Sequence, residues 1–363
     1  MDLAFTEEQE LLRETIRSLL QKYSGPEIVR ELEDTDPGYR ADLWDELARQ
    51  GLLGLTIPEA DGGSGMTQLE QVILYEEFGR ALTSTPHFVS CVLGAKLAPR
   101  ELLPGIASGE SIVSVAWLEP ERGEGPDGVT LESRDGTLSG EKTRVPFATA
   151  ATKLIVLARD GLFLVDSAQT ERTQLKVMGS DPEFVVRLEN TPAERIAEEA
   201  WPPFDDAMID GLIAIAAFAV GGAERAHEMA VEYAKERVQF GRPIGSFQGL
   251  AHPLAETATE IQGARVLVYE AAWARENGRQ ARTLAAMAKM YACDVFKRTT
   301  KVGQQVFGGI GFIRDLDMQL YFRRAKQLEI SWWGPRTLEE IVAAAELDAE
   351  TPFVSADYGA PPA

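Results

Sequence analysis

Apolar residues recur at helical spacing from the start of the chain. Leu12, Ile16, Leu19 and Tyr23 follow Thr6 and Gln9, a Thr-x-x-Gln capping box, and predict an amphipathic first helix. Leu43, Trp44 and Leu47 predict a second helix that stops near Gly51. Thr67 with Glu70 forms another capping box ahead of Leu69, Val72, Ile73 and Phe78, and the intervening Asp61-Gly62-Gly63-Ser64-Gly65 reads as a loop. Residues 1–110 are therefore expected to form a helical domain. From Ser111 the pattern changes to short β-branched runs separated by Gly, Asp, Pro and Asn, at 112–117, 129–132, 143–146, 154–158, 162–165, 173–177 and 184–188. That block predicts a compact antiparallel β domain over 111–200. After Trp201-Pro202-Pro203 the helical period returns, with long segments near 208–236, 248–277 and 282–307 and shorter ones beyond Gly311. Long helices with short connections predict an antiparallel bundle over 201–350. Residues 351–363, rich in Pro, Ala and Gly, are expected to be disordered. The fold class is α+β.

Composition narrows the roles open to this chain. A formal net charge of −21 over 363 residues repels phosphate backbones and anionic lipid, which argues against nucleic-acid and membrane partners. The start, Met1-Asp2-Leu3-Ala4-Phe5, is acidic where a signal peptide carries positive charge, and a cytoplasmic location is expected. The longest apolar stretch, from Gly211 to Ala223, is shorter than the roughly 20 residues a bilayer requires and reads as a buried helix. Cys91 and Cys293 are isolated and read as small buried hydrophobes, with no disulfide framework or metal-ligand spacing. His87, His227 and His252 read as packing or surface residues. There is no Walker loop, His-Glu-x-x-His, Cys-x-x-Cys or Gly-x-Gly-x-x-Gly between a strand and a helix.

Two segments of the last domain carry a more specific signal. The first, Glu236-Arg237-Val238-Gln239-Phe240-Gly241-Arg242-Pro243-Ile244-Gly245-Ser246-Phe247-Gln248, leaves one helix, turns, and enters the next. The second, Gln304-Gln305-Val306-Phe307-Gly308-Gly309-Ile310-Gly311-Phe312, ends a long helix in glycines that let a ligand approach the backbone. Taken alone they read as an interhelical turn and a helix stop. In order, spacing and residue type they resemble the acyl-CoA dehydrogenase family, and Phe5-Thr6-Glu7-Glu8-Gln9, Ile57-Pro58-Glu59 and Leu138-Ser139-Gly140-Glu141-Lys142 extend the resemblance along the chain. The resemblance implies FAD as cofactor, an acyl-CoA substrate, electron-transfer flavoprotein as acceptor, and a site completed across a subunit interface. It assigns Arg237, Gln239 and Phe240 to the pyrophosphate and adenine portion, with Ile244, Phe247 and Gln248 beside them and Gln305, Gly308 and Gly309 completing the cradle.

The resemblance fails at the acyl half of the site. The family's reaction needs a carboxylate to take the substrate α proton. Aligned through Arg323-Arg324-Ala325-Lys326, the usual Glu falls on Trp332, whose indole donates a hydrogen bond but accepts no proton. The alternative Glu of a smaller group falls on Gly211. Asp210, one residue away, and Glu329, one helical turn before Trp332, are the candidates for a shifted base. The motif that contacts flavin and substrate is replaced by Leu118-Glu119-Pro120-Glu121-Arg122-Gly123-Glu124-Gly125, and the Trp that packs on the flavin ring by Arg144. Three functions are weighed. The double loss favours a subunit without its own base in an α2β2 heterotetramer with a homologous acyl-CoA dehydrogenase partner, an arrangement found in steroid and lipid catabolism. The others are a homotetrameric dehydrogenase with a shifted base such as Asp210, and a non-redox or DNA-associated member of the same fold.

Overall fold

The computed structural model describes residues 5–33, 35–349 and 353; the expectation for 351–363 falls, Phe353 apart, outside the described residues. Two compact units are built from discontinuous stretches, Met1–Pro26, Gln68–Thr83 and Leu212–Ala363 in one, Glu27–Thr67 and Ser84–Gly211 in the other. The boundaries at 110 and 200 mark changes of secondary structure, and the compact units cut across them.

The first unit is helical. Helix α1 (Glu7–Tyr23) opens on the capping box, with Thr6 Oγ1 accepting from the Gln9 backbone N–H and Gln9 Oε1 from that of Thr6. After α2 (Pro26–Leu32) and α3 (Ala41–Arg49) of the second unit, α4 (Gln68–Arg80) returns to the first. Nearly all of α4 is buried, which explains why its apolar periodicity is weak: it is surrounded rather than laid on a core. The long helix α7 (Trp201–Glu236), whose residues up to Gly211 belong to the second unit, begins at Trp201, earlier than the period implies, because Pro202 and Pro203 sit in the first turn, where a missing N–H costs nothing. From Leu212 to Val220 its side chains are all buried, as expected for its apolar stretch. The backbones of α4 and α7 touch: a Cβ on Gly221 would lie 1.8 Å from the Glu76 carbonyl oxygen, and one on Gly79 would lie 2.0 Å from that of Phe218. Helices α8 (Gln248–Glu276), α9 (Ala281–Phe307), α10 (Met318–Ile330) and α11 (Pro335–Ala343) complete this unit.

The second unit holds a six-stranded sheet with α2, α3, a π-helical turn at Phe88–Gly94, and the short α5 (Ala95–Leu97) and α6 (Leu103–Ser108). Its strands are β1 (Val113–Ala116), β2 (Thr137–Pro146), β3 (Lys153–Ala158), β4 (Gly161–Asp166), β5 (Glu171–Gln174) and β6 (Glu183–Ala197). They are ordered β1-β3-β4-β6-β2, with β5 also on β6. The sheet departs from the antiparallel expectation at one edge, where β1 pairs parallel to β3. The strand expected at 129–132 does not form. The backbone N–H groups of Thr130 and Leu131 donate to the Glu119 carboxylate at 2.9 and 3.0 Å, so the ladder donors are already occupied. His87 is buried with Nε2 3.1 Å from the Leu52 carbonyl, and burial pushes it down to about 4 despite that bond.

Candidate functional site

Helix α7 ends at Glu236, and the next residues form a two-residue hairpin, β7 (Val238–Gln239) against β8 (Arg242–Pro243). Phe240 and Gly241 turn it with φ of 54° and 78°, the double left-handed conformation of a tight hairpin turn. The hairpin is tied to the helix by the Arg237 N–H donating to the Tyr233 carbonyl and the Ile244 N–H donating to that of Arg237. Arg237, Gln239 and Phe240 are exposed, Phe240 to 92%. Phe247 caps α8, with the Arg242 guanidinium 4.1 Å above its ring and Phe240 edge-on at 6.0 Å, so the turn is stiffened by its own cation–π and aromatic contacts. Ile244 is half-buried beside it and Gln248 begins the helix.

The second segment closes α9. Gly308 has φ 64° and ψ −137°, a conformation only glycine adopts readily, and added Cβ atoms at Gly308 and Gly309 would meet nothing within 4 Å. Space therefore lies open above this backbone. Gln305 and Gly309 are exposed, as are Ile310 and Phe312, the latter to 76%. The two segments meet through Tyr233 and Phe307, whose ring centres lie 4.5 Å apart with the planes tilted by 31°. That contact is absent from the motif; the signal was the placement of an aromatic in the last turn of each helix. An exposed guanidinium, exposed aromatic faces and a side-chain-free backbone fit a dinucleotide, which offers pyrophosphate oxygens, a planar base and little steric tolerance.

The acyl half is different. Trp332 follows α10 in a turn where it and Trp333 have φ of 53° and 68°. Consecutive non-glycine residues in this region cost about 1–2 kcal/mol each, so surrounding packing must hold them. Trp333 is buried and its carbonyl accepts from the buried Lys289 Nζ at 2.8 Å. At the other position, a Cβ on Gly211 would lie 3.0 Å from Leu93 Cδ2 and 3.4 Å from Phe88 Cζ, so apolar side chains of the π-helical turn crowd the point from which a side chain would start.

Neither substitute carboxylate is a free base. Asp210 is fully buried with Lys96 Nζ 3.0 Å from its Oδ2. Burial would raise the Glu329 carboxyl, but hydrogen bonds from Lys297 and Lys326, each 2.5 Å, outweigh it and bring it below the usual range. Both are ion-pair anchors. Asp210→Asn is accordingly expected to leave turnover of the active assembly within about threefold; a loss of two orders of magnitude with FAD retained would make Asp210 the base.

Arg144 stands with φ 54° at the bulge in β2 and donates from Nε to Glu183 at 3.0 Å. The pair puts charge where the resemblance implies an aromatic ring. Glu119 accepts from Lys142 Nζ at 2.8 Å in addition to Thr130 and Leu131, which ties the replaced motif to β2 and to the non-strand segment at 130–131.

Models of two protein families match the chain: acyl-CoA dehydrogenase, N-terminal domain, over residues 6–110, and acyl-CoA dehydrogenase, C-terminal domain, over 207–343. The acyl-CoA dehydrogenase IpdE2 of Mycolicibacterium smegmatis is 32% identical over 326 residues, covering 88% of this chain and 93% of that protein. Among solved structures, the Tcur3481-Tcur3483 steroid ACAD (G363A variant) is 31% identical with a TM-score of 0.84, covering 93% of this chain and 98% of that one. The ChsE4-ChsE5 complex of Mycobacterium tuberculosis is 29% identical with a TM-score of 0.86, covering 97% and 100%.

Proposed function

This chain belongs to the acyl-CoA dehydrogenase family, and from that premise we propose that it is the subunit without its own proton acceptor in an α2β2 assembly with a homologous partner. It is an FAD-dependent oxidoreductase of CoA thioesters. In this reading it lends the hairpin and the Gly308-Gly309 backbone to a dinucleotide whose substrate side belongs to the partner. The observation that carries the reading is the contrast between the two halves: an exposed cradle, and base positions that hold Trp332 and Gly211, the latter closely approached by Leu93 and Phe88.

Bound FAD supplies the hydride acceptor for α,β-desaturation. Arg237 would hold the pyrophosphate, since its fork matches paired phosphate oxygens and stays charged. Gln239, Phe240, Phe247, Gln248 and Ile244 would enclose the adenine portion, and Gln305 with Gly308 and Gly309 would admit the ribose and phosphates at backbone distance. The substrate α proton would leave to a partner carboxylate, because neither indole nor glycine accepts one. Two of the similar structures are named as pairs of proteins, and one is described as a steroid ACAD; these names support a heteromeric arrangement and a steroid or lipid acyl group. Electron-transfer flavoprotein is the proposed acceptor.

Coexpression with a homologue that carries the catalytic Glu tests the reading. The chain alone is expected to be inactive and flavin-poor, and the assembly to hold two FAD because one kind of interface is complete. Arg237→Ala should weaken FAD in that assembly by about 1.5–3 kcal/mol, roughly 10- to 150-fold. A homotetramer with four FAD that oxidises an acyl-CoA unaided would overturn the proposal.

A further inference from the structure

The turn between α10 and α11 raises a question of its own: what keeps Trp332 and Trp333 both left-handed, at 53° and 68°, when neither is glycine? Strain of this kind persists only where neighbours over-determine it. The neighbours come from α9. Lys289, 1% exposed, donates from Nζ to the Trp333 carbonyl at 2.8 Å, and the Arg282 guanidinium lies 5.8 Å from the Trp333 ring centre. Trp333 is itself 1% exposed, so its ring cannot swing out to relieve the backbone without leaving the core. On the near side, Ser331 Oγ donates to the Gln327 carbonyl and ends α10; on the far side, Gly334 precedes Pro335, the first residue of α11. A buried ammonium is costly unless its hydrogens are used. Here one of the groups that receives it is the carbonyl of the second left-handed residue.

We propose that Lys289 is the positioning residue of the turn at 331–334: by holding the Trp333 carbonyl it fixes both left-handed residues, and with them the backbone that carries Trp332, the position to which the resemblance assigns the family's base. The proposal rests on the reading of Trp332 as that position. Its test involves neither flavin nor turnover, so it can fail while the assignment of the base position stands.

The experiment is hydrogen–deuterium exchange of the 331–334 amides in the full chain, with near-UV circular dichroism of the tryptophans alongside. Lys289→Met keeps the length and apolar stem and removes the donor. It is expected to raise exchange at 331–334 by about tenfold or more and to reduce the tryptophan signal, while exchange in the middles of α9 and α10 stays unchanged. Lys289→Arg, which retains a donor, should restore slow exchange; a merely space-filling role would instead be met by Met and not by Arg. Trp332→Gly removes one left-handed penalty at a half-buried position, so adding Lys289→Met to it should produce a smaller increase than in the native chain. If Lys289→Met does not fold, Lys289→Gln, whose shorter amide cannot span the same distance, gives the same reading. Exchange at 331–334 within twofold of the native chain in the donor-less variant would overturn the proposal.

Discussion

Gly221→Ala is expected to leave little folded protein, with a loss of about 3 kcal/mol or more in whatever does fold, read from thermal or urea unfolding. The new methyl carbon would lie 1.8 Å from the Glu76 carbonyl oxygen and 2.9 Å from its Cα, and both are backbone atoms of a buried helix that no rotamer change can move. Gly79 makes the reciprocal contact with the Phe218 carbonyl, so separating α4 and α7 would break both crossings at once. The consequence extends to the site. Gly221 fixes the register of α7 against α4, and α7 continues from that crossing to the hairpin bearing Arg237. Wild-type stability in Gly221→Ala would mean that the helices are not in backbone contact.

Glu119→Ala carries the second large effect, about 3 kcal/mol of destabilisation, because it removes the counter-charge of the fully buried Lys142 ammonium, which keeps the Trp117 carbonyl at 3.2 Å but no carboxylate, and frees the Thr130 and Leu131 N–H groups together. Burial alone would raise the Glu119 carboxyl; hydrogen bonds from Lys142 and Thr130 and from the Leu131 backbone outweigh it and bring it to about 2, below its ordinary 4.5. A depressed carboxyl stabilises the fold fully above its unfolded pKa, so this contribution is complete above pH 4.5 and is lost as pH falls toward 2. Unfolding midpoints measured between those limits should converge for the native chain and the variant. An equal difference at pH 7 and at the acid limit would mean that the carboxylate charge is not what holds the segment.

Much of the architecture was legible in residue order. The Thr6–Gln9 box, the apolar stretch of α7 and the runs that became β1, β3 and β4 are local signals, and local hydrogen bonding and periodicity express them directly. The run at 129–132 misled for a tertiary reason: its β-branched residues look like a strand, but its donors at Thr130 and Leu131 go to Glu119, 11 and 12 residues upstream, a pairing no period contains. The parallel pairing of β1 with β3 was hidden in the same way, since run lengths do not state direction.

The site divides along the same line. Arg237, Gln239, Phe240, Gln305, Gly308 and Gly309, the residues proposed for the dinucleotide, were singled out from order and spacing, and each of their segments is a continuous helix end whose geometry is set within a few residues. The absence of a carboxylate at 211 and 332 was equally plain from residue identity. Only the tertiary structure decided what stands there instead. Phe88 and Leu93 reach Gly211 from more than a hundred residues away, Lys96 pairs Asp210, and Lys289 holds Trp333 from the neighbouring helix. Residue identity states which proton acceptors a chain possesses. Whether a buried carboxylate is ion-paired, or an empty position is filled, depends on groups that packing alone brings within 4 Å.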